Sequence, residues 1–497
     1  MIAEEKKLGL VSVLGAGAGL IVATSCLLML AQGAGVIHGA FIYALIIACI
    51  LNMLAIGSLA ELNALMPGIS GGMPQYTLTA LGAFPALITI LGGYIMVNSF
   101  ASSAEVLMCG LALEEFFSWS VPPWVVGVVV ICILGFVNLR GINMFARTQN
   151  AVAYTLLGSL LVLGLIGIFS AGAGVTVDQP FMQEGDIAAV LALAPMAFWL
   201  FIGAEFIIPM AAEIKNPRRN VPLGMFMSLG IILVLMILTV FGISNYVLWA
   251  DLGASNTPHI IYGVQVLGQF GYLWMGVIVI LAAISTVNTV ISACARICEG
   301  MAKMDLLPTV FKKRNRSNAP YAGILLIVVG LILVTSISQV ADAEGLAVLI
   351  LTGCTFWMGC YAIGHVNLLV MRKRLPDAPR SFKMPLGPVL PILGIAGMIW
   401  MILTIDPDPE FRWMIWRTCI ITIVVFSIYS IIWIKVKMKR SLFKPMPVEE
   451  MMALEAQANA EQAAAQEARL AAIAAKEARL AQKYDIPGGG GGSGSGD

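Results

Sequence analysis

Carboxylates and hydroxyls set inside apolar stretches are what this 497-residue chain offers for chemistry. Glu205 lies between Gly203 and Pro209, in a run that also holds Phe198, Trp199 and Phe201. Glu105 follows Ser102 and Ser103 in a second run, and Ser285, Thr286, Asn288 and Thr289 cluster in a third. Near the start, Gly15, Gly17 and Gly19 alternate with alanines, and Ala23, Thr24 and Ser25 follow. A charged carboxylate at the centre of a bilayer costs about 2.5–3.5 kcal/mol on insertion scales, so such a side chain faces a cavity or a partner. The chemistry open to these groups is recognition, gating and the handling of an ion or proton. Covalent catalysis has no support: HExxH is absent, and His38, His259 and His365 are too scattered for a metal site. The nine cysteines sit in apolar runs without metal-site spacing and read as packing thiols. No catalytic residue, metal or cofactor is expected.

The elements that must position these groups are set by composition. Hydrophobic residues make up 59% of the chain and charged residues only 11%, against about 25% charged in soluble domains. With so few ionic side chains the surface must be solvated in part by lipid, and a net charge of +1 gives no basic face for nucleic acid. Twelve apolar segments reach a bilayer-crossing length of about 17 residues or more: 8–31, 39–62, 84–111, 122–139, 149–172, 187–212, 223–247, 268–300, 320–338, 345–369, 385–404 and 414–435. Alternate loops carry 22 of the 29 basic residues, while the opposite loops hold only Arg412 and Arg417 beside eleven acids, among them Asp178, Asp251 and Asp406. Lys/Arg excess marks the cytoplasmic side, so both termini are expected in the cytoplasm of a multi-pass protein of the plasma (inner) membrane. Residues 1–440 form the twelve-helix core on this reading, 441–485 a cytoplasmic Ala/Glu-rich helical tail, and 486–497 a Gly/Ser linker.

Two spans carry signals of interruption. In the first, three glycines at every second position each cost roughly 1 kcal/mol against alanine in a helix, justified either by a break or by close helix packing. In the sixth, Gly203, Glu205 and Pro209 fall within seven residues. Interrupted helices at corresponding places in two halves are the pattern of inverted-repeat transporters, in which freed amide ends attract an anionic group and freed carbonyls a cation. A zwitterionic amino acid or an amine suits that pairing.

Three stretches then resemble one superfamily. Ala60-Glu61-Leu62 followed by Met66-Pro67-Gly68 and Gly71-Gly72-Met73-Pro74-Gln75-Tyr76 looks like a signature of the amino acid–polyamine–organocation permeases. Phe201-Ile202-Gly203-Ala204-Glu205, with Glu213, Lys215, Asn216, Pro217 and Arg218 beyond, resembles a second, and Arg296 through Met301, Lys303, Asp305 and Pro308 a third. In order, they align with residues 8 to 435 of the chain. The resemblance implies an all-α membrane protein of twelve transmembrane helices. Ten would form a five-plus-five inverted repeat of the leucine-transporter type with helices 1 and 6 broken, and two would be peripheral. It implies alternating-access transport of amino acids, by exchange or ion-coupled symport. Substrate would lie among Gly15, Gly17, Gly19, Ala23, Thr24 and Ser25 on span one and Phe198, Trp199, Phe201 and Gly203 on span six. Trp199 would close the site, with Glu205 or Glu105 gating or coupling. Sodium-coupled relatives place the ion at positions matching Ser285, Thr286 and Thr289. Some proton-coupled relatives carry a Lys on span five, near Thr155–Leu156 here, where this chain has none.

Amine or polyamine transport is the alternative, favoured if Glu105 and Glu205 both face the cavity. A non-transporting amino-acid sensor, using the tail as output, is a third class. The partners expected are a small-molecule substrate, the lipid bilayer and a sodium ion or proton. The loop from Glu114 to Pro123 has no cysteine, so a disulfide-linked partner subunit is not expected. The loop charges make one directional statement: single cysteines replacing Arg316 and Arg380 should react with an impermeant maleimide only from the cytoplasmic side, and labelling of either from outside contradicts the orientation.

Overall fold

The computed structural model describes residues 7–117, 121–182, 187–254, 258–337 and 343–484. The 486–497 linker and the loop charges Glu184, Asp186 and Asp342 lie outside the described residues. The chain is all-helical apart from two isolated bridges. Its helices are α1 (Leu10–Ile21), α2 (Thr24–Ile37), α3 (Phe41–Leu65), α4 (Met73–Ala80), α5 (Ala83–Ile90), α6 (Val97–Phe117), α7 (Pro123–Leu139), α8 (Ile142–Ile168), α9 (Ile187–Trp199), α10 (Pro217–Tyr246), α11 (Trp249–Ala254), α12 (Pro258–Lys303), α13 (Tyr321–Ile337), α14 (Ala343–Arg374), α15 (Val389–Leu403), α16 (Pro409–Ile432) and α17 (Val448–Tyr484). Among the described residues eight helices are long and apolar enough to cross a membrane, and α1 with α2, bent by 55°, makes a ninth. The shorter apolar helices α7, α13 and α15 coincide with the remaining segments expected from the sequence.

Small residues let the central helix run close to its neighbours. A Cβ on Gly15 would come within 2.9 Å of Asn150 Oδ1 on α8, and one on Gly17 within 2.6 Å of Ser228 Oγ on α10. On Gly19 it would meet Ala153 Cβ at 2.5 Å and Ser285 Oγ at 2.6 Å, between α8 and α12. These three glycines therefore sit inside the continuous helix α1 as packing positions. The break comes later, at Val22 and Ala23, whose ψ angles of 81° and 161° leave the helical region. Of the two readings the sequence left open for these glycines, a break or close packing, helix approach is the one they serve here.

The basic face is held by buried ion pairs between elements far apart in sequence. Arg372 of α14 pairs with Glu61 of α3 through both guanidinium arms, and Met384 donates its amide to the same carboxylate at 2.8 Å. Arg296 of α12 donates to Glu213 at 2.6 Å, and Arg314 makes a two-bonded pair with Glu299 at 2.7 and 2.9 Å. Helix α17 joins this network: Glu455 is buried and accepts from Lys303 at 2.8 Å, Ser70 at 3.0 Å and Gln75 at 3.0 Å. The start of the tail is thus seated against the core, with Met451 fully buried beside Gln75. His365 is buried with Ser58 Oγ 2.7 Å from its Nδ1, a structural pairing.

The packing at α1 has a measurable consequence. Gly19→Ala should lower the melting temperature of the detergent-purified protein, because Ala153 and Ser285 leave no room for a methyl group. Gly158→Ala, with open space around its Cβ, should leave it unchanged or slightly raised. Equal thermal stability of the two variants contradicts the packing assignment.

Candidate functional site

A helix interrupted in apolar surroundings exposes backbone groups that need partners. At the end of α1 they are supplied by α12: Ser285 Oγ donates to Gly19 O at 2.6 Å and Thr286 Oγ1 to Leu20 O at 3.1 Å. Gln149 of α8 donates to Gly15 O at 3.2 Å and to Ser285 Oγ at 2.7 Å, and accepts from Asn288 at 3.0 Å. At the start of α2 the partner is an acid. Thr24 N donates to Glu105 Oε2 at 2.6 Å and Ser25 N to Glu105 Oε1 at 3.1 Å, so one carboxylate of α6 satisfies the first two amides of the helix. The helix dipole favours negative charge at that position.

The sixth span breaks beside the first. Helix α9, which contains Pro195, ends at Trp199. The chain then turns through Gly203, at φ +123°, into a 3-10 segment, Ala204–Glu213, that contains Pro209. Only glycine accepts that φ readily, and a Cβ there would lie 2.7 Å from Leu20 on α1. Just past the turn, Glu205 is buried, with Trp357 Nε1 donating to it at 3.0 Å and Tyr361 OH at 2.6 Å. These two donors lie four apart on α14 and so present to the same side of the helix.

Between the two breaks lies a cavity of about 40 Å³, room for about three waters. Ala23, Glu105, Trp199, Gly203 and Thr286 line it, together with Asn98, Ser102, Phe206 and Trp357. Trp199 hydrogen-bonds Ser25 Oγ through its indole at 3.0 Å and meets Trp357 edge-on at 6.0 Å. The walls are therefore aromatic and hydroxylic, Glu105 is the one ionisable carboxylate among them, and no Lys, Arg or His is present among the lining residues.

The structure distributes the sequence candidates as follows. Ala23, Glu105, Trp199, Gly203 and Thr286 come together around the cavity. Thr24 and Ser25 sit at its edge, engaged through their amides and the Ser25 hydroxyl. Gly15, Gly17 and Gly19 face other helices, while Phe198 and Phe201 are buried away from the cavity, with Phe198 against Tyr361. Glu205 lies behind the lining, turned toward α14. Of the ion-site candidates, Ser285 and Thr286 bond to α1 carbonyls and the buried Thr289 hydroxyl has no partner. Gln149, Asn150 and Tyr154 of α8 bond to α1, whereas the Thr155 hydroxyl is exposed and bonded back to Ala151 O. The sequence reading missed Asn98, Ser102, Phe206, Trp357, Tyr361 and Gln149. A signal for two of them was present: a membrane-buried carboxylate needs donors, and Trp357 and Tyr361 form an i, i+4 donor pair within an apolar span.

Helices of membrane-crossing length surround a cavity at two helix breaks, the architecture of a multi-pass membrane protein with an interior site. Residues 8–427 match the amino acid permease family, and the chain belongs to it. Among curated relatives, it is 24% identical to the branched-chain amino acid permease of Bacillus subtilis, over 86% of this chain and 93% of that protein. It is likewise 24% identical to the methylthioribose transporter of Bacillus subtilis, over 85% and 91%, and 23% identical to the lysine-specific permease of Lactococcus lactis, over 79% and 82%. Its fold is shared with the manganese transporter of Eremococcus coleocola, at a TM-score of 0.57 and 14% identity, covering 86% of this chain and 95% of that one.

The anchoring of Glu205 is open to a direct check. Tyr361→Phe removes one buried donor and leaves a carboxylate oxygen unsatisfied, which should cost about 1–3 kcal/mol and appear as a lower melting temperature. Glu205→Gln combined with Tyr361→Phe should lose less than the sum of the two single variants, because both act on one interaction. Strict additivity contradicts the contact.

Proposed function

We propose that this permease is a secondary transporter of amino acids in the plasma membrane, working by alternating access with both termini in the cytoplasm. The arrangement we favour is a five-plus-five inverted repeat in which the broken spans α1–α2 and α9–Gly203–Glu213 correspond, with α15 and α16 peripheral. One observation carries the substrate reading: the amide end of α2 meets the cavity between the breaks and already holds a carboxylate, that of Glu105. A site that binds one carboxylate through two backbone amides is suited to the carboxylate of an amino acid. Trp199, on the wall between the breaks, is the aromatic that closes over the substrate, and Trp199→Ala should raise the apparent Km with little change in expression.

The coupling we favour is exchange without sodium. The carbonyls of Gly19 and Leu20 that would face an ion accept hydroxyl protons from Ser285 and Thr286, and the Gln149 amide donates to both Gly15 O and Ser285. The Gly19 and Leu20 oxygens are thus already bonded, and the Gln149 N–H directed at Gly15 O and Ser285 Oγ fills the place a cation would take. A second reading, amine transport, draws on the single lining carboxylate and the lack of lining cations.

Uptake into proteoliposomes of a panel of labelled amino acids and amines tests these statements. Amino acid uptake should be stimulated by internal unlabelled amino acid and unchanged when choline replaces sodium. A sodium requirement overturns the coupling assignment, and amine uptake without amino acid uptake overturns the substrate assignment.

A further inference from the structure

We propose that Glu105 is the resident occupant of the substrate-carboxylate position: an incoming carboxylate replaces that of Glu105 on the Thr24 and Ser25 amides, and the displaced Glu105 receives the substrate's ammonium group. The inference rests on the transport reading above and adds to it the charge pattern the substrate must carry.

Three observations converge on this exchange. The two amides that open the fourteen-residue helix α2 are both taken, at 2.6 and 3.1 Å, by a side chain from a different helix. That helix has no side-chain cap of its own, so its anion position is filled by a group on a rotatable side chain that an equivalent group can replace. Second, Ser102 lies one turn before Glu105 on α6, lines the same cavity, is buried and has no hydrogen-bond partner for its hydroxyl. A buried hydroxyl left unpaired is disfavoured, and this one is placed to bond either the displaced Glu105 or the ammonium it receives. Third, no lining residue is basic. A Glu105 side chain driven off the amides thus finds no counter-ion among the lining residues.

The ligand requirement follows. A carboxylic acid lacking an amine would leave two carboxylates facing each other in a site of low polarity. An amine lacking a carboxylate offers nothing to the α2 amides once Glu105 leaves them. Only a molecule carrying both groups supplies partners for every charge, so the site selects α-amino acids through a swap of partners.

The test measures competition against labelled L-leucine on the purified full-length protein by L-leucine itself, isoamylamine and isocaproate. L-lysine and cadaverine, which lacks the carboxylate, form a second comparison. In the unaltered protein each single-group fragment should bind at least ~30-fold more weakly than its parent amino acid, the scale expected when one partner of a desolvated charge pair is removed. In Glu105→Ala, isocaproate should gain about tenfold while leucine weakens, because the amides stand free and the ammonium has lost its acceptor. A gain in binding cannot arise from misfolding. If Glu105→Ala does not fold, Glu105→Gln and the fragment comparison in the unaltered protein decide. Isoamylamine binding as tightly as leucine, or a folded Glu105→Ala protein that shows no gain for isocaproate, overturns the assignment and makes Glu105 a permanent cap of α2. Failure of the unaltered protein to bind either leucine or lysine overturns the transport reading itself and this assignment with it.

Discussion

Everything in the centre of this protein follows from one requirement: a transmembrane helix interrupted in a medium without water must find partners for the amides and carbonyls it frees. The first span stops at Ile21 and restarts at Thr24. Its carbonyl end is answered by hydroxyls of α12 and its amide end by a carboxylate of α6. Those partners fix where α6, α8 and α12 stand relative to α1, and the small residues of α1 make that approach possible. The second break lies against the first because Gly203 contacts Leu20 where any side chain would clash. The cavity is the space the two interruptions leave between them.

The carboxylates divide the work by position. At the basic face Glu61, Glu213 and Glu455 each hold an Arg or Lys from a distant element and Glu299 holds Arg314 of the loop after its own helix, so their charges are paired and their role is to tie helix ends together. Removing one partner of such a buried pair costs more than the pair contributes, because the remaining charge stays buried. In the apolar interior there is no basic partner to use. Glu205 is held by neutral donors from α14, and Glu105 by backbone amides. Of the two, only Glu105 faces the cavity, which makes it the charge that meets whatever enters.

Much of this was legible in the sequence. Apolar length placed the helices, and the neighbourhood of Gly203, Glu205 and Pro209 located the second break. The first break was displaced by several residues, since Gly15, Gly17 and Gly19 look the same whether they serve a break or a close helix contact. The residues at Val22 and Ala23 carry no local signal at all; the groups that answer the freed backbone of Thr24, Gly19 and Leu20, namely Glu105, Ser285 and Thr286, come from more than 80 positions away. The same distance hid Gln149, because side chains that satisfy another helix's backbone are chosen by tertiary geometry. The seating of the Ala/Glu-rich tail against the core was not legible because its few buried residues, Met451 and Glu455, are spaced within an otherwise polar run.

The most direct test of the central claim, that the space between the two breaks is the transport site, uses a thiol already present. Cys26 lines the cavity and is buried, whereas Cys132 is exposed. The rate of Cys26 alkylation by N-ethylmaleimide in proteoliposomes, followed by mass spectrometry with and without L-leucine, reports whether the cavity opens and is filled by substrate. The account requires slow alkylation of Cys26 that leucine suppresses while Cys132 reacts at an unchanged rate. A Cys26 that alkylates at the same rate with and without leucine, in protein that is transporting leucine, contradicts it.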